Sequence, residues 1–205
     1  MTAPRGLLAV IAGPSGVGKG TVHARARASL PESVLSVSVT TRAPRPGEVD
    51  GVDYHFVSPE RFQQLIDEDE LLEWAEYAGE RYGTPRGPVE EAVAAGRIVV
   101  LDIELQGALQ VKEHDPAALL VLLVPPSFEE LERRLRARGT EPEEALQRRL
   151  ARAREELEAA HQFDVEVVND DLDRCVEEVL GAIERARAAA QAANDRAGDQ
   201  RRTRA

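Results

Sequence analysis

One cysteine, one methionine, one tryptophan and only two lysines occur among the 205 residues of this chain. The lone Cys175 excludes a disulfide framework and fits a reducing compartment, from which a cytoplasmic protein is expected. No apolar run approaches the ~20 residues of a membrane span. The first such run, Leu7 to Ala12, stops at Gly13 and Pro14, so it reads as a short strand and not as a signal peptide. Positive charge is also in deficit, with 26 basic against 37 acidic residues and a net charge of -11. That balance argues against a surface that coats nucleic acid. His23, His55, His114 and His161 lack metal-ligand spacing, and no internal repeat is visible. No Asn-Lys-x-Asp run occurs, which sets aside a regulatory GTPase.

What is present is 42% apolar residues, enough for one globular domain with a sizeable core and room for small insertions. Gly13-Pro14-Ser15-Gly16-Val17-Gly18-Lys19 follows the apolar run and leads into a helical stretch, Thr21 to Leu30. Strand, glycine loop and helix start is the context of a phosphate-binding P-loop. Glycines let successive N–H groups turn inward at an anion, the helix adds its positive end, and Lys19 supplies a mobile ammonium. Apart from Lys19 and Lys112 every basic residue is arginine, so one of two compact point charges stands where phosphates need it. Gly20 departs from the motif, which expects Ser or Thr after the lysine; Thr21 follows it.

Leu7–Ala12, Ile98–Ile103, Leu119–Val124 and, more weakly, Val165–Val168 read as buried strands with helical patterns between them. The expected fold class is α/β, a central parallel sheet flanked by helices. Ser127 and Glu130 suggest a capping box after Pro125-Pro126. Residues 37–90, rich in turns and aromatics, read as an inserted subdomain. Residues 131–158, rich in Arg and Glu with no continuous apolar face, read as an exposed helical lid. The expected core is then 5–36, 91–130 and 159–186, and 187–205 is expected to fray into disorder.

Arg42 and Arg45 are rigid forks suited to a doubly charged phosphate, stiffened by Pro44 and Pro46, with Glu48 and Tyr54 close behind. Together with the P-loop, the segment from Ser36 to Phe56 resembles the guanylate kinase family. The likeness runs from about Leu7 to Ala186. It includes Phe56-Val57-Ser58, Glu73-Trp74-Ala75, Tyr82-Gly83-Thr84, Leu101-Asp102-Ile103-Glu104-Leu105-Gln106-Gly107, Arg138-Gly139-Thr140 and Val168-Asn169-Asp170-Asp171.

The resemblance implies a P-loop nucleoside monophosphate kinase fold with inserted acceptor-binding and lid subdomains. It implies transfer of the γ-phosphoryl group of ATP to GMP (dGMP included), giving ADP and GDP with Mg²⁺. Neither a nucleic acid nor a membrane is an expected partner, and the expected assembly is a monomer or small homo-oligomer. In the family pattern Arg42, Arg45, Tyr54 and Tyr82 clamp the GMP phosphate, with Glu48 in the same set. Glu73, Ser38 and Thr84 fall at guanine-reading positions, with Asp102 and Glu104 nearby. The family often has aspartate where Glu104 stands. Gly13 through Thr21 would hold ATP phosphates, joined by Arg134, Arg138, Arg149 and Asn169. Lys19, Arg42, Arg138 and Arg149 carry the catalytic assignments. Mg²⁺ would be held mainly by nucleotide phosphates and water, with Asp102 as a further oxygen.

Read alone, several of these residues have blander meanings. Glu73 would continue the acidic helical face of Asp67 to Glu70, and Asp102 could cap a neighbouring helix. Arg133, Arg136, Arg152 and Arg154 read as solvated surface among Glu155, Glu156 and Glu158. Two other functions compete: a binding module that has lost catalysis, and a kinase with another acceptor. The intact P-loop argues against the first, and the Ser38 to Tyr54 segment against the second.

Overall fold

β1 (Leu7–Ala12) is buried along its whole length because it runs between two parallel partners. The computed structural model describes residues 5–34, 36–77, 79–137 and 142–202, with side chains to 194. In it β1 pairs with β7 (Ile98–Asp102) on one side and β8 (Leu119–Val124) on the other. β2 (Ser33–Val34) and β9 (Val165–Val168) complete a parallel sheet in the order β2-β7-β1-β8-β9. Strand side chains alternate between faces. Leu7, Ala9 and Ile11 therefore enter one core with Val22 and Ala26 of α1 (Lys19–Ser29) and with α7 (Leu172–Arg202). Leu8, Val10 and Ala12 enter the other, under α3 (Arg86–Ala94) and α4 (Leu105–His114). Each fully buried aliphatic side chain contributes roughly 1.5–3 kcal/mol, so the end of β1, where the P-loop begins, is firmly fixed.

A second sheet, ordered β4-β3-β6-β5, forms from β3 (Val39–Thr40), β4 (His55–Phe56), β5 (Leu71–Tyr77) and β6 (Glu80–Pro85). It surrounds a small core of Val39, Phe62, Leu65 and Leu71, to which α2 (Pro59–Asp67) contributes. Ser58 caps α2 by accepting from the Arg61 N–H. The expected boundary at 90/91 falls inside α3, whose Val89, Ala92 and Val93 belong to the main core.

The lid expectation also needs correcting. α5 (Phe128–Ala137) buries Leu131 and Leu135, and α6 (Glu143–Glu158) buries Leu146, Leu150 and Ala153, in the same cluster as Ile11. Their apolar stripe is about one residue per turn wide, and the Arg and Glu on either side hid it. Arg138, Gly139 and Thr140 lie outside the described residues. Of the expected capping box the Ser127 limb is formed, its Oγ accepting from the Glu130 N–H at 3.1 Å. The Glu130 carboxylate instead takes Arg133 and Arg134, which hold it down at a pKa of about 2. Beyond residue 187 the helical backbone continues to Arg202, where disorder was expected; the run of alanine, arginine and glutamine has high helix propensity. No helix among the described residues is long and apolar enough to cross a membrane.

Candidate active site

The loop between β1 and α1 is shaped from behind. Gly18 adopts a left-handed conformation (φ 99°) as the N-cap of α1, and no side chain caps that helix. A Cβ at Gly18 would stand 2.6 Å from Asn169 Nδ2, which donates to the Val17 carbonyl at 2.7 Å. Arg134 donates to the same carbonyl at 3.4 Å and to the Asn169 carbonyl at 3.0 Å, while Glu130 holds its Nε at 2.8 Å. Asn169 and Arg134 thus brace the P-loop, and neither borders the cavity in front of it.

That cavity, ≈ 550 Å³, is bordered by Gly13 to Gly16 and Gly18 to Thr21, and by Tyr77, Glu104, Arg149, Arg152, Ala153 and Glu156. Val17 is buried behind the loop. Lys19 Nζ reaches across to the end of β7, 3.2 Å from the Ile103 carbonyl and 3.3 Å from Asp102 Oδ1. Arg149 of α6 donates to the Ser15 hydroxyl, which ties that helix to the loop. Main-chain N–H groups at an uncapped helix start, an ammonium and arginines make this a polyphosphate cradle.

A second cavity of ≈ 220 Å³ adjoins it, bordered by Ser38, Tyr54, Glu73, Ala75, Tyr77, Tyr82, Gly83, Asp102 and Ile103, and sharing Lys19, Tyr77 and Glu104 with the first. Glu73 sits on β5 opposite Thr84 of β6, not on a solvated helix. It is 5% exposed, and its Oε1 accepts from the Thr84 hydroxyl at 2.6 Å. Burial, reinforced by the charge of Glu104 and opposed by the Thr84 bond, pushes its pKa up to about 7. Trp74, next along β5, is bracketed by the Gln110 side chain of α4. Gln110 accepts from the Trp74 N–H at 3.0 Å and donates to its carbonyl at 2.9 Å, as a neighbouring strand would.

At the rim, Arg42 makes two hydrogen bonds to Glu48, at 3.0 and 2.8 Å, and lies 5.4 Å from the Tyr54 ring centroid. Those bonds raise the Arg42 pKa and lower that of Glu48. Glu48 also accepts from the Arg45 N–H at 2.7 Å, while Tyr54 and Tyr82 meet edge to face with centroids 6.0 Å apart. Arg42, Arg45 and Glu48 thus cluster beside the pocket without bordering it, and Thr84 lies beneath Glu73.

Four residues had no place in the sequence-based site. Arg152, expected to be plain surface, pairs with Glu104 and places its Nε 3.3 Å from Glu156 Oε1. Glu156 is a buried carboxylate on the cavity wall, its pKa raised by burial against the pull of Arg152 and Lys19. Tyr77 borders both cavities. Gly107 lies against Glu73: a Cβ there would be 2.4 Å from Oε2. The Leu101 to Gly107 run was a signal for Gly107; for the others, charge-dense composition gave none. Arg133, Arg136 and Arg154 do stay at the surface, pairing with Glu130, with Glu132 and Glu143, and with the Phe128 ring.

The guanylate kinase family model matches residues 5–186. A guanylate kinase of Synechococcus sp. (strain CC9311) is 59% identical over 180 residues, spanning 86% of this chain and 95% of the relative. One from Thermobifida fusca (strain YX) is 57% identical over 176 residues, 86% and 90% of the two chains. The crystal structure of guanylate kinase from Anaplasma phagocytophilum superposes with a TM-score of 0.72 at 32% identity, covering 91% of this chain and 89% of that one. The P-loop, the two-sheet fold and these relatives agree: the chain belongs to the guanylate kinase family.

Proposed function

We propose that the two cavities are the donor and acceptor halves of one site, the larger for the phosphates of ATP and the smaller for GMP. As a guanylate kinase, the chain transfers the γ-phosphoryl group of ATP to GMP, giving ADP and GDP. The observation that carries the site assignment is the shared wall: Lys19, Tyr77 and Glu104 border both cavities. Two phosphates brought from opposite sides would meet beside one ammonium.

In this reading the P-loop N–H groups and Lys19 hold the ATP phosphates, and Arg149 with Arg138 balances charge on the transferring group. Arg42, Arg45, Tyr54 and Tyr82 hold the acceptor phosphate. Glu48 fixes the Arg42 fork before GMP arrives, so little ordering remains to be done on binding. Guanine presents N1–H and N2–H₂ donors, which an ionised Glu73 accepts, while the Ser38 hydroxyl serves O6 and Thr84 holds the carboxylate from behind. Adenine has no N1–H and would leave a buried carboxylate unpaired, a mismatch able to discriminate by on the order of 10⁴-fold. Transfer between phosphates needs no strong general base, so orientation and charge neutralisation supply the rate.

Phosphoryl transfer between nucleotides uses a divalent metal, and Mg²⁺ fits this site. Asp102 offers a hard oxygen ligand at the cavity junction. A Cβ at Gly20 meets nothing within 4 Å, so a water has room where the motif's hydroxyl is missing. No group of three or more His, Cys, Asp or Glu among the described residues could hold a metal alone, so phosphates and water complete the set. When bound, Mg²⁺ would offset the negative charge of the nucleotide phosphates.

An acceptor panel of GMP, dGMP, IMP, AMP, CMP and UMP with MgATP tests the assignment. GMP and dGMP are expected to turn over fastest and AMP at a small fraction of GMP. Equal turnover of AMP and GMP would remove Glu73 from base recognition.

A further inference from the structure

We propose that Arg152 is a positioning residue that reports occupation of the phosphate cleft to the acceptor pocket, by holding the Glu104 carboxylate until phosphates draw the guanidinium away. The proposal rests on the donor and acceptor assignment above. Arg152 stands on α6 and borders only the donor cavity; Glu104, just before α4, borders both. Their side chains are joined by a hydrogen-bonded ion pair across the cavity junction. The pair therefore stands at the junction where, on that assignment, the γ-phosphoryl group changes hands.

Two further features make the contact exchangeable. Arg152 is tethered from its own helix by Glu156, one turn on, so losing Glu104 does not release it into solvent. Its guanidinium also lies 6.0 Å from the ring centroid of Tyr77, the aromatic shared by both cavities. Glu104, for its part, has an Oε1 that is buried and finds no hydrogen-bond partner among the described residues. A desolvated acceptor left unmatched is costly, and donors of a ligand would satisfy it.

A nucleoside triphosphate changes this balance. Its phosphates carry several negative charges in a geometry that arginine forks match, and they would compete with a single carboxylate for Arg152. Glu104, once released, faces the acceptor pocket, where the base of GMP brings N–H donors. ATP should then tighten GMP binding, and by linkage GMP should tighten ATP by the same factor.

Calorimetry of the full chain, titrating GMP with and without a non-hydrolysable imido analogue of ATP plus Mg²⁺, measures that factor. In the wild type the analogue should lower the GMP Kd by about fivefold or more, within the usual range of site-to-site coupling. Arg152→Gln should bring the factor within about twofold of one and tighten GMP binding without the analogue; Arg152→Lys should restore part of the coupling. Glu104→Gln breaks the pair from the other side and should remove the coupling too, which guards against a folding defect in one variant. Full coupling in either Gln variant, or none in the wild type, overturns the proposal. Steady-state turnover of ATP and GMP is measured alongside. Coupling lost in both Gln variants, with normal wild-type turnover, supports the proposal; absent wild-type turnover with intact coupling overturns the assignment of the cavities instead.

Discussion

Gly107 of α4 is packed so closely on Glu73 that a methyl group added to it would stand 2.4 Å from Oε2 and 3.2 Å from Cδ of the carboxylate. The carboxylate that we assign to base reading therefore has its position set by a missing side chain on the facing helix. Gly107→Ala should displace Glu73 and lower kcat/KM for GMP by at least ~10-fold, the scale of one mispositioned hydrogen-bonding group. KM for ATP should stay within about twofold. Steady-state kinetics with each substrate varied in turn checks this; an equal effect on both would point to general loosening.

Acidity should follow from the same burial. Glu73 has a pKa raised to about 7, and guanine's donors require the ionised form. As pH falls through 7 the free protein takes up a proton that GMP must expel, so affinity is present above the raised pKa and lost below it. GMP binding should be roughly fourfold weaker at pH 6.5 than at pH 8, a window that stays above the second phosphate pKa of GMP near 6. Glu73→Gln should lower kcat/KM for GMP by ~10²-fold or more and flatten this pH dependence. A steep profile retained in the variant would assign the titration elsewhere.

Lys19 reaches the junction of the two cavities. Lys19→Ala should reduce kcat by ~10²-fold or more while the melting temperature is held, the scale of one lost transition-state charge contact. Near-normal turnover in a folded variant would remove it from the mechanism.

The departure at Gly20 is sterically open, since a Cβ there meets nothing within 4 Å and its φ is not positive. Gly20→Ser should therefore alter kcat/KM for MgATP by less than ~10-fold. Thr21→Ala, beside the phosphate cradle, should do more harm. Loss of activity in a folded Gly20→Ser would show that a phosphate needs close backbone approach at that position.

How much of this was written openly in the chain depends on how each element hides its face. β1, β7 and β8 were legible because strands of a parallel sheet, buried on both sides, are runs of apolar residues; β9, an edge strand with Glu166 and Val168 exposed, left only a short valine signal. The P-loop was legible because its glycines and lysine are fixed by backbone geometry and charge. β5 was not. Asp67 to Glu70 ran straight into Leu71-Leu72-Glu73, and acidic density suggested a helix, while a bulge between Leu71 and Glu73 broke the alternation that marks a strand. In α5 and α6 a stripe of single leucines lay among arginines and glutamates. Arg152 could not be told from Arg133 or Arg154 by composition, because all three are flanked alike and only the fold brings Glu104 to one of them.

The bracket that Gln110 places around Trp74 has a mechanical meaning. β5 is rooted at that point: Leu72 belongs to the main core while its neighbour Leu71 belongs to the small one. Glu73 sits between the two anchors, at the fulcrum of the second sheet, and β3, which leads into the Arg42–Glu48 pair, lies two strands away. A swing of that sheet about β5 would move Arg42 more than Glu73. On the assignment proposed above, base reading would stay in the frame of the P-loop and travel would fall to the grip on the phosphate.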